Sequence, residues 1–472
     1  MMKRDPSSHT KAPRRIPGEI ALERLSPLDV SNLRVEDRGL PMHIAAFAYI
    51  EAQPLPTADA DPLDVLQQHV ERRLDAAPRL RQILYELPTG LGPPLWLDDP
   101  RFDIRRHVRA RPVPPPGNEA AVLELCSRLN EEPLDRSHPL WEMWLLTELE
   151  DGNMGLLFRL HHVVADGVAA LALIGALLDA APEAPAPVAR TWTPRPVPSD
   201  EELLADNVHR LARATGRLLA GLRYPAHGLR RLRVAARQGR YLLGEGSAPR
   251  LSLNRQAGEH RRLILVRADL ERARAVAHAH GGTVNDVVLA ALAGGARRLL
   301  EHRGELRPGL ALKVSVAASL RGTGGEPAIG NRVGIIIVPV PVDESDAIRT
   351  LQGIARTTAD RKRRPAYQPA GRIAQRWMVR VMSHQHLVNL LASNLPGPPF
   401  PMYLAGARVL EVFQVGVVQG NITVSVGVVS YAGQLNFDIV GDADAVPDLT
   451  LFADGVSDSL EELGVIRHPP DR

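Results

Sequence analysis

The stretch from Ala181 to Asp200, APEAPAPVARTWTPRPVPSD, carries prolines at 182, 185, 187, 194, 196 and 198. Proline lacks a backbone donor and has a fixed φ, so this run can neither continue a helix nor sit inside a sheet. It reads as a semi-extended linker that divides the chain. With 472 residues, 44% of them apolar, the parts on either side are each long enough to bury a core. The chain accordingly reads as a disordered basic tail (1–17), a first half (18–180), the proline-rich linker (181–202), a basic helical connection (203–260) and a second half (261–472).

Both halves alternate strand-like and helix-like patterns, which predicts α/β structure. In the first half, the β-type run His43 to Ile50 precedes a helical pattern from Asp64 to Leu74. In the second, a strand over 262–266 leads to helices opening near 270 and 284. Strands at 311–317 and 333–340, a helix from about 347 and β-rich sequence over 409–439 follow. No short repeat period is present, which excludes solenoids and propellers.

Net charge is only +3, yet nine arginines and no acidic residue lie between Val208 and Leu243. Leucines at 211, 218, 219, 222, 229 and 232 fall near helical spacing there, so arginine borders an apolar stripe. Two readings stay open: a helix on an anionic lipid surface, or a packed helix with a solvated basic face. Arginine without interleaved aromatics or a reading motif argues against nucleic acid as partner. Cys126 is the only cysteine, which excludes a disulfide framework and a thiolate-rich metal site and fits a cytoplasmic setting. The first 17 residues have no apolar signal region. The most hydrophobic run, Val333 to Val342, is interrupted by Pro339 and Pro341, so no bilayer span is expected, although attachment to a membrane or droplet surface is compatible with this.

The most informative segment is GLLFRLHHVVADG, residues 155–167, a buried strand that ends in a turn before the helical run VAALALIGALL. Strand periodicity puts Leu156, Phe158, Leu160 and His162 on one face and His161 on the other. The two histidines therefore point apart and cannot readily share one metal ion. His162 emerges among apolar side chains, a setting that favours the uncharged imidazole a general base requires. No serine, cysteine or lysine stands in the motif as a covalent nucleophile, so direct attack within a ternary complex is favoured over an acyl-enzyme. Asp166 and Gly167 sit at the turn, the aspartate able to cap the next helix and the glycine able to take a strained conformation.

HHVVADG matches the HHxxxDG signature of the CoA-dependent acyltransferase superfamily. Further blocks run in order along the chain: LSPLDVSNLRVED (25–37), PLDRSHPLWEMWLL (133–146), TVNDVVLAALAGGARRLL (283–300), VSVAASLR (314–321), IGNRVG (329–334), SNLPGPPFPMYLAGARV (393–409) and SYAGQLNFDIVGD (430–442). Together they resemble the bacterial wax ester synthase/acyl-CoA:diacylglycerol acyltransferase family. The resemblance implies an α/β fold of two pseudo-duplicated, chloramphenicol acetyltransferase-like domains with mixed sheets and an active-site tunnel between them.

Residue by residue, the resemblance implies a catalytic set of His161, His162, Asp166, Gly167 and Asn285. His162 would be the base and Asp166 a structural aspartate. Arg321 would be the arginine partner of Asp166. Asn285 and Asp286 match the family's ND pair, with Asn285 near the histidine or the thioester carbonyl and Asp286 in support. Pro139, Leu140 and Trp141 match its PLW triplet, read first as a packing wedge because it has no titratable group and second as a substrate contact. Asn394 and Gly397, within SNLPGP, would form a rigid turn shaping the tunnel or a contact to substrate. His43, His138, His384 and His386 are left as structural or surface residues. Asn32 stands where many members have an aromatic residue, and Leu395 where valine is usual.

The function so implied is transfer of a long-chain acyl group from acyl-CoA to diacylglycerol or a long-chain alcohol. Acyl-CoA is a substrate, and neither a metal nor a resident cofactor is expected. The rivals are a same-fold acyltransferase for another alcohol, such as a polyketide diol, and a non-catalytic protein that binds lipid surfaces.

Overall fold

The structure, a computed structural model, describes residues 22–26, 29–30, 33, 36, 42–52, 61–88, 91–165, 167–188, 191–223, 246–319, 333–362 and 385–467. The basic tail, Asn32, Asp166, Leu229, Leu232, Arg321 and His384 lie outside the described residues.

Two six-stranded sheets organise the described chain. The first contains β1 (His43–Ile50), β4 (Val108–Pro112), β5 (Trp141–Thr147), β6 (Met154–His161), β11 (Tyr403–Leu404) and β12 (Ala407–Val415), in the order β11-β12-β1-β6-β5-β4. The second contains β7 (Arg261–Asp269), β8 (Ala311–Ser319), β9 (Val333–Pro341), β10 (Leu390–Pro396), β13 (Val424–Tyr431) and β14 (Gln434–Asp442), in the order β7-β14-β13-β10-β8-β9. Strands β2 (Gln82–Tyr85) and β3 (Leu95–Asp98) form a separate hairpin. Both large sheets are mixed: β4 runs parallel to β5, and β10 runs parallel to β8 and β13, while the other pairs are antiparallel. The expected α/β class with mixed sheets is present. The first sheet, however, takes β11 and β12 from the second half of the chain, β12 pairing with β1 from Ala45↔Val415 to Ile50↔Val409.

One face of the first sheet packs on helices α1 (Pro62–Arg73) and α4 (Gly167–Leu177), with Leu156, Phe158, Leu160, Trp141 and Met143 turned towards them. The short helix α2 (Ile104–His107) leads into β4. The other face packs on helix α3 (Glu119–Glu131) and directly on the second sheet, where Phe47, Leu157 and Phe413 meet Leu263, Leu265 and Val440. Strand β6 is buried along its whole length, as its run of apolar residues requires.

The linker has no regular structure over 185–188 and 191–199, as its prolines dictate. It is nevertheless fastened to the first lobe, because Arg195 grips Asp98 through its backbone N–H (3.1 Å) and its guanidinium (2.9 and 3.1 Å). Helix α5 (Asp200–Arg223) follows, tied back where Arg24 meets Asp206 and the carbonyl of Leu203.

The second lobe is built around helix α7 (Val284–His302), which packs with α6 (Leu270–Ala279), α8 (Ala347–Lys362) and α9 (Leu449–Glu462). Glycine allows the closest of these contacts. A Cβ on Gly294 would fall 1.8 Å from Ser459 Oγ, and one on Gly455 would fall 2.6 Å from the Gly294 carbonyl.

The lobes are joined by polar contacts as well as apolar ones. Arg267 on β7 donates to both oxygens of Glu411 on β12 (3.0 Å each) and to Glu119 on α3 (2.5 Å). Burial works against the arginine's charge, but the two carboxylates outweigh it and hold its pKa above the ordinary value. Gln434 and Asn436 on β14 donate to the carbonyls of Leu410 and Val412. Asp438, two residues further on, is buried, and neither carboxyl oxygen has a hydrogen-bond partner among the described residues. Burial raises its pKa well above the usual carboxylate range despite the nearby Gly416 N–H.

A carboxyl held protonated by the fold stabilises least where the unfolded chain ionises. Its contribution is intact below about pH 4 and is lost as pH rises towards the raised folded value. Asp438→Asn is therefore expected to gain stability relative to the parent between pH 4.5 and pH 8. Urea unfolding at the two pH values tests this, and an equal difference at both would refute it.

Candidate active site

His161 is the last residue of β6, fully buried, and His162 follows it in a half-buried turn. The expected opposition of the two rings is visible in their contacts. His161 Nδ1 accepts the backbone N–H of Val163 (3.0 Å), so its proton resides on Nε2, which donates to Glu36 Oε2 (3.1 Å). Burial lowers the pKa of His161 and the Glu36 carboxylate only partly offsets this, which leaves the ring neutral. With both nitrogens engaged, His161 has no lone pair for an incoming proton.

Glu36 gathers this corner. Arg136 donates to its Oε2 (2.7 and 3.1 Å), and His43 Nε2 lies 3.2 Å from Oε1, too oblique for a hydrogen bond. Burial alone would raise the Glu36 pKa, but the surrounding histidines and Arg136 hold it far below the carboxylate range. His43 also meets His161 edge-on, with ring centroids 6.0 Å apart.

His162 differs. Its backbone N–H is fixed to the Met42 carbonyl (2.8 Å), yet its Nδ1 is buried without a hydrogen-bond partner among the described residues. Of the two histidines, only His162 offers an unengaged ring nitrogen. Asp29 is close enough for the His162 field to act on its carboxyl. Burial raises the Asp29 pKa, while hydrogen bonds from Ser26 (2.6 Å from Oγ) and the fields of His162 and Arg79 oppose the rise.

The other singled-out residues lie at varied distances from this pair. Leu140 and Trp141 are buried against the same strand: the Leu140 carbonyl accepts from His161 N–H (3.0 Å), and Trp141 pairs with Leu160 and donates to the Leu80 carbonyl (2.7 Å). Pro139 precedes them, also buried. Gly167 opens helix α4. Asn285 and Asp286 occupy the first turn of α7 in the second lobe. Asp286 accepts from the N–H and hydroxyl of Thr283 (2.7 Å each) in a capping box, and from Thr358 (2.6 Å). Among the described residues no hydrogen bond joins Asn285 to His162. Asn394 is half-buried on β10, paired with Val428. Gly397 sits so close to β13 that a Cβ would fall 2.4 Å from the Ser430 carbonyl.

Two cavities flank the histidine strand. A narrow apolar crevice, about 400 Å³ counting the part open to solvent, runs between the lobes, lined by Ile44, Phe158, Leu160 and Ile174 on one side and by Leu395 and Val429 on the other. It lies on the face of β6 shared by Phe158 and Leu160, the latter two residues before His162. A polar cavity with about 760 Å³ of empty space lies beyond β5, lined by residues that include Arg106, His107, Arg109, His138 and Trp141.

Glu36, Asp29, His43 and the arginines of the polar cavity were not singled out as site residues in the sequence. Ser26-Pro-Leu-Asp29 carries a legible signal, the S-x-x-D spacing of a helix start, but that spacing says nothing of a nearby histidine.

The wax ester synthase/diacylglycerol acyltransferase catalytic domain model matches residues 25–288, and the corresponding C-terminal domain model matches residues 329–464. A putative diacylglycerol O-acyltransferase of Mycobacterium tuberculosis is 30% identical over 470 residues, covering 95% of this chain and 91% of the relative. A probable diacylglycerol O-acyltransferase of the same species is 30% identical over 471 residues, covering 94% and 96%. Among solved structures, the wax ester synthase/diacylglycerol acyltransferase of Marinobacter aquaeolei VT8 matches with a TM-score of 0.67 at 25% identity, covering 93% of this chain and 98% of that one. The starter condensation domain of rhizomide synthetase, in complex with C8-CoA and Leu-SNAC, shares the fold with a TM-score of 0.61 at 15% identity, covering 95% and 96%.

Removing Glu36 would leave the Nε2–H of the fully buried His161 without its acceptor. Glu36→Ala is expected to cost about 1–3 kcal/mol in urea unfolding, and Glu36→Gln, which keeps an acceptor for His161, clearly less. Equal losses would show that the His161 contact is immaterial.

Proposed function

Because this chain belongs to the wax ester synthase/diacylglycerol acyltransferase family, we propose that it transfers a long-chain acyl group from acyl-CoA to diacylglycerol or a long-chain alcohol, with His162 as general base. The observation that carries the reading is the division between the two histidines. His161 is saturated, whereas the Nδ1 of His162, two residues along from Leu160 in the wall of an apolar crevice shared by both lobes, has no partner among the described residues. The C8-CoA complex of the rhizomide synthetase domain, which shares the fold, supports a CoA thioester as donor.

In this mechanism the acyl chain lies in the crevice and brings its thioester to the end of β6. The His162 ring accepts the hydroxyl proton as the alcohol oxygen bonds to the thioester carbon. The tetrahedral oxyanion collapses, the carbon–sulfur bond breaks, and the sulfur leaves as CoA thiol after taking the proton back from His162. Glu36 does not touch the reacting atoms. Through His161 and the Val163 N–H it fixes the turn from which His162 projects.

The helix α5 supports attachment to a lipid surface. Leu204, Val208 and Leu211 are exposed at successive spacings of four and three residues, with Leu219 two turns on. Among the described residues no helix is long and apolar enough to cross a membrane, so the contact would be peripheral. Flotation with anionic vesicles is expected to carry the parent protein upward and to lose it in a Leu204→Asp/Val208→Asp/Leu211→Asp variant; equal flotation would refute this.

His162→Ala is expected to lower turnover by about 10² to 10⁴ while leaving the melting temperature near that of the parent. Thiol release from palmitoyl-CoA in the presence of hexadecanol or dioleoylglycerol measures it. A folded variant with full activity would overturn the assignment of the base.

A further inference from the structure

Among the described residues, every side chain that lines the crevice is apolar except one, Gln414. Strand alternation settles where it points. Phe413 and Val415 belong to the core between the two sheets, so Val412 and Gln414 face the opposite side, where Val412 packs with Leu156, Phe158 and Leu160. Gln414 pairs with Ala46, and Ala46 with Phe158, so the three stand in one row across β12, β1 and β6 on the crevice face.

The backbone is fixed at this point. A Cβ on Gly427 of β13 would fall 2.0 Å from the Gln414 carbonyl, so the sheets touch directly behind it. From that stem the amide reaches into the second lobe, where its Nε2 donates to Ser393 Oγ (3.1 Å) on β10. Ser393 stands two residues before Leu395, which lines the crevice as well. The amide oxygen is buried and has no partner among the described residues. A pin between the lobes needs only the bond to Ser393. It does not account for a carboxamide whose other polar end goes unmatched among hydrocarbon, a costly arrangement in an interior.

The Ser393 hydroxyl can accept from an amide N–H or donate to an amide oxygen, and the last torsion of a glutamine is broad and two-fold. The amide therefore keeps Ser393 in either orientation and has its remaining end, acceptor or donor, for a neighbour. A hydroxyl group answers both. A chain that enters so narrow a crevice displaces the lining side chains, and the flexible stem of Gln414 moves among them.

The register gives its depth. The row of Phe158 lies four residues before His162 along β6. Four residues at about 3.4 Å and two strand spacings of about 4.8 Å put Gln414 about 17 Å from His162. An extended hydrocarbon advances about 1.25 Å per carbon, given a C–C bond of about 1.5 Å, so Gln414 comes level with about the thirteenth carbon of a chain whose thioester lies at His162.

We propose that Gln414 makes the crevice selective for acyl chains that carry a hydroxyl about twelve to thirteen carbons from the thioester. The inference rests on the acyl-CoA reading above and names the class of chain. A saturated chain leaves the amide unmatched, whereas the hydroxylated one completes it.

Calorimetric titration of the full chain with 12-hydroxyoctadecanoyl-CoA, 3-hydroxyoctadecanoyl-CoA and octadecanoyl-CoA, with no alcohol present, tests the contact apart from turnover. The parent is expected to bind the 12-hydroxy chain about three- to tenfold more tightly than the other two, as one added hydrogen bond allows. Gln414→Leu should reverse the order, because the hydroxyl then enters hydrocarbon without a partner. Gln414→Met, an unbranched side chain of similar length, should do the same and replaces the leucine variant if that one melts early. Equal affinities of the parent for the 12-hydroxy and unsubstituted chains, or a preference that survives both substitutions, would overturn the proposal. An equal gain with the 3-hydroxy chain would overturn it too, since the contact would then lie elsewhere. A preference that depends on Gln414, without thiol release towards any alcohol, would uphold the contact and sink the acyl-transfer reading; thiol release without the preference would do the reverse, and failure of the parent to bind any of the three would sink both.

Discussion

Arg267 holds the two lobes in register. Its guanidinium reaches from the second sheet to Glu411, on a strand of the first sheet, and to Glu119, on the helix that covers it. Three elements distant in sequence thereby meet at one buried cation. Such a group is a poor source of net stability, because desolvating the charges opposes their attraction. It is a strong source of geometry, since any arrangement that separates the partners leaves a charge stranded in the interior. The crevice between the lobes has a defined width because β12 cannot slide along β1 without breaking this contact, and because Gln434 and Asn436 pin the same strand through its carbonyls.

The two adjacent histidines show how burial distributes roles along a strand. Both come from one dipeptide, yet the pleat sends the first ring into a pocket of charged partners and the chain reversal leaves the second in a half-buried turn. The first has its tautomer fixed by an N–H on one side and a carboxylate on the other. The second keeps an Nδ1 that no hydrogen bond engages among the described residues. The difference lies in the environments, which no local pattern around HHVVADG encodes.

Much of the fold was legible because its elements are set by local chemistry. The alternation in His43 to Ile50, the apolar run before His161 and the Thr283–Asp286 start of α7 all announce themselves within a few residues, and the family resemblance supplied the architecture. The partnership of β12 was not legible. VLEVFQV alternates in the same way whichever sheet receives it, and only the shape of the assembled lobes decides that it joins β1. Glu36 and Arg267 were hidden for a related reason. Each is one charged residue among many in the sequence, and becomes distinctive only when residues about a hundred positions away close around it. The polar cavity likewise draws on a short helix, a strand and a loop that share no motif.

The exchange of β11 and β12 between the halves also decides how the chain can be cut. A fragment ending at the proline run would present β1 with its backbone donors and acceptors bare along one side, an invitation to pair with a second copy. Its complement would carry the matching ribbon without a home. The apparent duplication is therefore not modular: neither half is an independent building block that could be exchanged for a homologous one, and an insertion or fusion between them must leave room for a strand arriving from beyond residue 400.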